Sequence, residues 1–307
     1  MYRHLLRLSL ISTLLLPPTL ISLGLFTPSA IAQSKPKPST IPTEKSLLWE
    51  ISGRGLAKPS YLYGTIHAIC PSQLKVPATL RSRFPQAQQL YLELDLDDPN
   101  VLIQSAERMH LPPGQTLQTL MKPGDYAKFR QFVQQRLRLS VDRLQTIKPL
   151  LLTGLFTAPL LGCQPTSWEE QLMQMAKGQR LEVLGLETVE EQMVAVDKVP
   201  LQQQIKMLMD VVNQFGKSQN QMRQLITLYN QQDIATLHRV VTDPKEVSFK
   251  FDAIFLRDRN RRWIPRIANI AQRRPTLFAV GAGHLGGSEG VIALLRKAGY
   301  TVKPVLR

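Results

Sequence analysis

The sequence predicts an α/β fold: a mixed sheet with a terminal βαβ unit and a large helical insertion in the middle of the chain. Three observations lead there. Short β-type runs cluster at 47–51, 61–66 and 89–95 and again near the end. Between about 100 and 250 the apolar period becomes three to four residues, that of helices. The last stretch then reads strand, glycine-rich turn, helix, strand.

Taken in order, the chain opens with Arg3 and Arg7, an apolar run over 8–26, and the small residues Ala30 and Ala32. That is the order of a secretory signal peptide, residues 1–32, with the working chain starting at Gln33. An uncleaved anchor is the alternative, since about 19 apolar residues just span a bilayer, but Pro17, Pro18 and Gly24 interrupt such a helix. The expected location is therefore periplasmic or extracellular. After Phe26 no run approaches the roughly 18 apolar residues of a span, so no transmembrane segment is expected in the mature chain. Residues 33–46, rich in Pro, Ser, Thr and Lys, read as a flexible linker to a domain over 47–307.

Within the domain, 47–51 and 61–66 form a hairpin about Gly53-Arg54-Gly55. Residues 89–95 alternate, placing Leu90, Leu92 and Leu94 on one face and Tyr91, Glu93 and Asp95 on an open, polar one. Tyr126, Phe129, Val133 and Leu137 mark a helix starting at Gly124-Asp125. Capping boxes at Ser167 with Glu170 and Thr188 with Glu191 mark two more. A strand over 181–186 lies between these boxes. The Gln-rich stretch 201–232 keeps Ile205, Leu208, Met209 and Val212 at helical spacing and reads as helix. At the end, a strand over 276–280, a turn over 281–287, a helix N-capped by Ser288 and closed by Gly299, and a strand over 300–305 complete the βαβ unit, whose ligands bind at the carboxyl ends of strands.

Without residues 1–32 the chain has 36 basic and 23 acidic residues, a charge of +13. The excess is scattered, and no aromatic stacking series accompanies the arginines 257–266, which argues against nucleic acid. Attraction to an anionic envelope surface and plain solvation both fit. Cys70 and Cys163 are the two cysteines. An exported chain with an even number usually pairs them, although two separate thiols, or Cys70 as a metal ligand three residues after His67, remain open.

Two of the five histidines follow a glycine by three positions, Gly64 to His67 and Gly281 to His284, and each motif ends a predicted strand. With Glu93 they make two imidazoles and a carboxylate, the donors a divalent metal such as zinc, manganese or cobalt takes while keeping sites for water. No His-Glu-x-x-His helix is present, so this is not an ordinary zincin.

In sequence order, Leu48-Trp49-Glu50-Ile51, the run from Tyr61 to His67, Leu92-Glu93-Leu94-Asp95, Gly185-Leu186-Glu187-Thr188, Arg259-Asn260, the run from Ala279 to Leu285 and Gly299-Tyr300-Thr301-Val302 resemble the TraB/PrgY/GumN family, relatives of the Tiki metalloproteases. The resemblance covers about 46–307. It implies an α/β domain with a helical insertion and a site assembled from the two Gly-x-x-His motifs, here His67 and His284. It also brings in Glu93, Glu187, Arg259 and Asn260. Two functions accommodate these residues. One is a metal-dependent peptidase acting on peptides or exported proteins, with Glu93 or Glu187 as ligand or base and Arg259 and Asn260 orienting substrate. The other is a binding protein that sequesters a peptide or ligand in the same cleft. The carboxylate beside paired imidazoles favours the enzyme.

Overall fold

The computed structural model describes residues 40–243 and 250–306; the predicted signal peptide and the start of the linker lie outside them. Six strands form one mixed sheet in the order β4-β3-β5-β2-β1-β6. They are β1 (Leu48–Ser52), β2 (Ser60–Thr65), β3 (Gln89–Leu92), β4 (Glu182–Gly185), β5 (Thr276–Gly281) and β6 (Thr301–Pro304). The four strands β4, β3, β5 and β2 run parallel, and β1 is antiparallel to both its neighbours. All residues of β2 and β5 are buried, as expected of central strands covered on both faces.

The predicted hairpin is β1–β2, with Ile51 opposite Ser60. Gly53, Arg54 and Gly55 all take positive φ in its loop, a conformation that glycine adopts without steric cost. The terminal unit departs from the simplest expectation. Strands β5 and β6 run in the same direction, but β2 and β1 lie between them, so the helix Val291–Lys297 crosses over two strands. This helix starts at Gly290 rather than at Ser288. A Cβ on Gly290 would stand 2.1 Å from the Gly286 carbonyl oxygen, so the tightness of the turn fixes the cap.

Strand β3 is shorter than its alternation suggested, and its polar face is not open. Glu93, just past the strand, is only 7% exposed, because Arg259 from the helix Asp258–Arg273 packs against its carboxylate. In the insertion, helices pack around a second core that includes Leu117, Phe129, Phe156 and Leu208. The Gln-rich stretch is two helices, Leu201–Asn213 and Phe215–Asn230, broken at Gln214. Thr188 and Glu191 cap each other reciprocally. Ser167 caps the Glu170 N–H, but the Glu170 carboxylate accepts from Thr166 instead. No helix among the described residues is long and apolar enough to cross a membrane.

Cys70 and Cys163 form a disulfide, with their Cα atoms 5.9 Å apart. Beside it Ile69 and Thr166 exchange two backbone hydrogen bonds of 3.0 Å. Together these links fasten the segment after β2 to the start of the helix Trp168–Gln179. The link closes 93 positions of sequence. Replacing both cysteines by serine is expected to lower unfolding free energy by about 2–5 kcal/mol. Urea unfolding of wild-type and double-mutant proteins measures this, and a change below about 1 kcal/mol would show that the backbone bridge suffices alone.

Candidate active site

Parallel pairing brings the carboxyl ends of neighbouring strands to one rim of the sheet. Thr65 at the end of β2 lies opposite Gly281 at the end of β5, and β3 pairs with the other edge of β5. His67, His284 and Glu93 therefore emerge side by side from three adjacent strands, although 217 positions separate the histidines. Glu187 follows β4 in the same way, and its N–H donates to the Glu93 carbonyl at 3.0 Å.

Both imidazoles direct Nε2 at the same carboxylate oxygen. His67 Nε2 lies 3.9 Å and His284 Nε2 3.8 Å from Glu93 Oε1, which also accepts the Gly281 N–H at 2.8 Å. The other ring nitrogens are engaged. His67 Nδ1 is 2.9 Å from Glu169 Oε1, which in turn accepts from the Thr65 hydroxyl at 2.6 Å. His284 Nδ1 is 2.6 Å from Asn260 Oδ1. Asn260 spends its amide N–H groups on the Glu289 and His284 carbonyls, so its oxygen accepts and His284 Nδ1 carries the proton. The imidazole of His284 packs on Trp263 with ring centres 4.5 Å apart.

Arg259, 3% exposed, closes the site from behind. Its helix, Asp258–Arg273, turns Arg259, Asn260, Trp263 and Ile267 inward and follows a π-helical turn at Asp252–Arg257. All five guanidinium donors have partners. Nε and Nη2 donate to Glu187 Oε1 at 3.0 and 2.5 Å, and Nη2 also to Glu93 Oε2 at 2.5 Å. Nη1 donates to the Phe255 carbonyl and to His284 Nε2, both at 3.2 Å. Glu187 Oε2 accepts from Trp263 Nε1 at 3.1 Å. The other arginines of the cluster hold acidic partners as well: Arg266 pairs with Glu191 and Arg261 with Glu289.

Burial and charge act oppositely on the two histidines. For His67, burial disfavours the imidazolium, but the Glu169 carboxylate outweighs it and raises the pKa to about 9. For His284, burial and the Arg259 charge act together and lower it to about 3, so this ring is neutral. Burial would raise the Glu93 pKa, yet Arg259 beside it holds the carboxyl well below the usual range. The inner site thus sets three carboxylates, Glu93, Glu169 and Glu187, against one buried cation, Arg259. With both imidazoles neutral the cluster carries −2; Arg262, 3.8 Å from Glu187 and partly exposed, adds only a marginal contact. Buried uncompensated charge is costly, so the cluster favours a proton on His67 or a cation beside it.

A divalent ion fits the donor types and the charge. Two donors about 2.1 Å from one ion at the tetrahedral angle lie about 3.4 Å apart, so the 3.8 and 3.9 Å separations are a few tenths of an ångström long. Accordingly, among the described residues no three such side chains are drawn in closely enough to enclose an ion without movement. Glycine at 281 permits their close approach, since a Cβ there would crowd both Glu93 Oε1 and His67 Nε2 at 3.3 Å. Anchoring each Nδ1 on a carboxylate or amide oxygen is the arrangement that orients metal-ligating histidines; here Nε2 of His67 faces the site, while Nε2 of His284 accepts from Arg259.

All six sequence-derived residues meet here, but Glu169, Trp263 and Tyr229 were missed. Glu169 sits inside the motif read only as a cap, and Tyr229, whose hydroxyl donates to the Gly64 carbonyl at 2.9 Å, comes from the Gln-rich helices. His238, which has no glycine three positions before it, lies against the second motif with Nδ1 3.1 Å from the Gly283 carbonyl oxygen. His110 lies elsewhere, bound to Thr146.

The sequence model of the TraB/PrgY/gumN family matches residues 47–304, the whole of the sheet and the helices that build this rim, and this chain belongs to that family. Among curated proteins it is similar to Metalloprotease TIKI1 of Danio rerio, 26% identical over 84% of this chain and 63% of the relative. It is also similar to Metalloprotease TIKI2 of the same species, 24% identical over 87% and 62%. Metalloprotease TIKI1 of Homo sapiens is 26% identical over 90% and 64%. The chain thus spans less than two thirds of the length of these relatives. No solved structure gives a significant match.

Proposed function

We propose that this protein is an exported metal-dependent hydrolase acting on peptides or proteins, with His67, His284 and Glu93 as metal ligands. The observation that carries the reading is three buried carboxylates gathered around one buried arginine, with two Nε2 atoms facing one carboxylate oxygen, a net-negative site that a divalent ion taking the place of the His67 proton would neutralise. The similar proteins bear the name metalloprotease, which agrees in reaction class. Manganese, cobalt and zinc all suit two imidazoles and a carboxylate.

A divalent ion held there supplies a Lewis acid and a water acidified toward neutral pH. The chain's own residues supply the rest. Glu169 and Asn260 fix the two rings, and the Gly281 N–H and Arg259 fix Glu93. Glu187, with no exposed side-chain surface, holds Arg259 and Trp263 rather than acting as a base. Asn260, 1% exposed, is likewise a positioning residue and touches no substrate. Arg259 lines the cleft with its donors already engaged by Glu187, Glu93, His284 and the Phe255 carbonyl, so it holds the site residues in place and contributes its charge.

One observation favours the sequestering alternative: Arg259 Nη1 already donates to the His284 Nε2 lone pair that a metal needs. Hydrolysis of a mixed peptide library before and after chelation separates the two. Activity is expected to vanish with chelator and return with manganese, cobalt or zinc. Tight peptide binding without turnover under any metal would support the alternative.

A further inference from the structure

The cleft beside the histidines continues into a cavity of about 140 Å³. Three elements build its wall: Met222 and Leu225 from the helix Phe215–Asn230, Leu237 and Val241 from the helix Ile234–Val241, and Phe255 and Leu256 from the π-helical turn. All six are apolar. Two hydroxyls also line it, but Thr65 is bonded to Glu169 and Tyr229 to the Gly64 carbonyl. The remaining polar side chains are His67, Arg259 and His284, the site itself. Gly283 leaves the space open, since a Cβ there meets only Val241 Cγ2 at 3.5 Å and Leu256 Cδ2 at 3.9 Å.

An apolar cavity of about 150 Å³ stays dry and takes up one benzene ring. The volume here therefore matches one large apolar side chain. A charged side chain placed in it loses its hydration and finds no free partner, because every Arg259 donor is already used. Glycine leaves it unfilled. We propose that this cavity is a specificity subsite, and that the preferred substrates are peptides carrying Leu, Met or Phe at the residue next to the bond that is cut. The proposal rests on the hydrolase reading for the word "cut", and on the cavity alone for the preference.

The test uses the mature protein loaded with manganese and a peptide series acetyl-Ala-Ala-X-Ala-Ala-amide, with X as Leu, Phe, Met, Gly, Asp or Lys. Removing methylenes from a hydrophobic pocket costs about 10- to 200-fold each, so kcat/KM for Leu, Met and Phe is expected to exceed that for Gly by about 100-fold or more. Leu225, half-buried at the rim, tolerates a charge, and Leu225→Glu is expected to shift preference from Leu toward Lys. Binding of acetyl-leucinamide, acetyl-glycinamide and acetyl-lysinamide is measured alongside by calorimetry. Apolar preference in binding without hydrolysis, lost in Leu225→Glu, supports the subsite while sinking the hydrolase reading. Hydrolysis indifferent to X, a profile unchanged by Leu225→Glu, or no discrimination among the three amides overturns the subsite.

Discussion

Replacing either His67 or His284 by alanine is expected to lower peptide hydrolysis by about 1000-fold or more, and the double replacement to lower it little further. The two Nε2 atoms flank one carboxylate oxygen at 3.9 and 3.8 Å, and groups that act as a unit lose function together rather than additively. Both variants should also lose stability. His67 is partly exposed, with 23% of its side chain accessible, but His67→Ala takes the partner from the buried Glu169 carboxylate, a loss of about 1–3 kcal/mol. His284→Ala removes a buried ring from Trp263 and strands the Asn260 oxygen, a loss of about 1–3 kcal/mol. His110→Ala is the proper control, whereas His238 touches the second motif. Multiplicative losses, with the double mutant far below each single one, would mean that the histidines act separately.

Glu187→Ala is expected to be the most destabilising single change in the site, by about 3–5 kcal/mol, because removing one partner of a buried pair leaves the other charge uncompensated. Arg259 loses its partner for Nε and one of two for Nη2, and Trp263 Nε1 loses its acceptor. Replacing the whole triad, Glu93→Leu and Glu187→Leu with Arg259→Met, should recover much of the loss, as apolar groups of similar size often replace buried ionic groups at no cost. Urea unfolding of wild type and the two variants reads this directly. A single-mutant loss below about 1 kcal/mol would show that Arg259 finds another partner.

What the sequence revealed, and what it hid, follows from the range of the interactions. The strand runs ending at His67 and His284 and the period change near residue 100 are local patterns, and each appears in the structure close to where its spacing put it. The order of strands is not local. Nothing in residues 276–305 says that β2 and β1 lie between β5 and β6, or that His284 emerges between the strands that lead to Glu93 and His67. The burial of Glu93 was misread for the same reason: the alternation of 89–95 describes a strand with one polar face, and only the arrival of Arg259 from 166 positions away turns that face into an interior. Glu169 was hidden by a second pattern that explained it adequately, the helix cap at Ser167. The disulfide was anticipated as one of several outcomes for two cysteines, and the fold resolves the choice by bringing them together.

The proposed divalent ion completes a net-negative cluster, and the most direct test of it is the metal content of the mature protein. Protein equilibrated with manganese, cobalt or zinc, freed of unbound ion and analysed by elemental mass spectrometry should retain one ion per chain. His67→Ala, His284→Ala and Glu93→Gln, each verified as folded, should retain far less. Wild-type protein that binds no ion under any of the three metals, or variants that bind as much as wild type, would contradict the account and leave Arg259 and a protonated His67 as the cations facing the carboxylates.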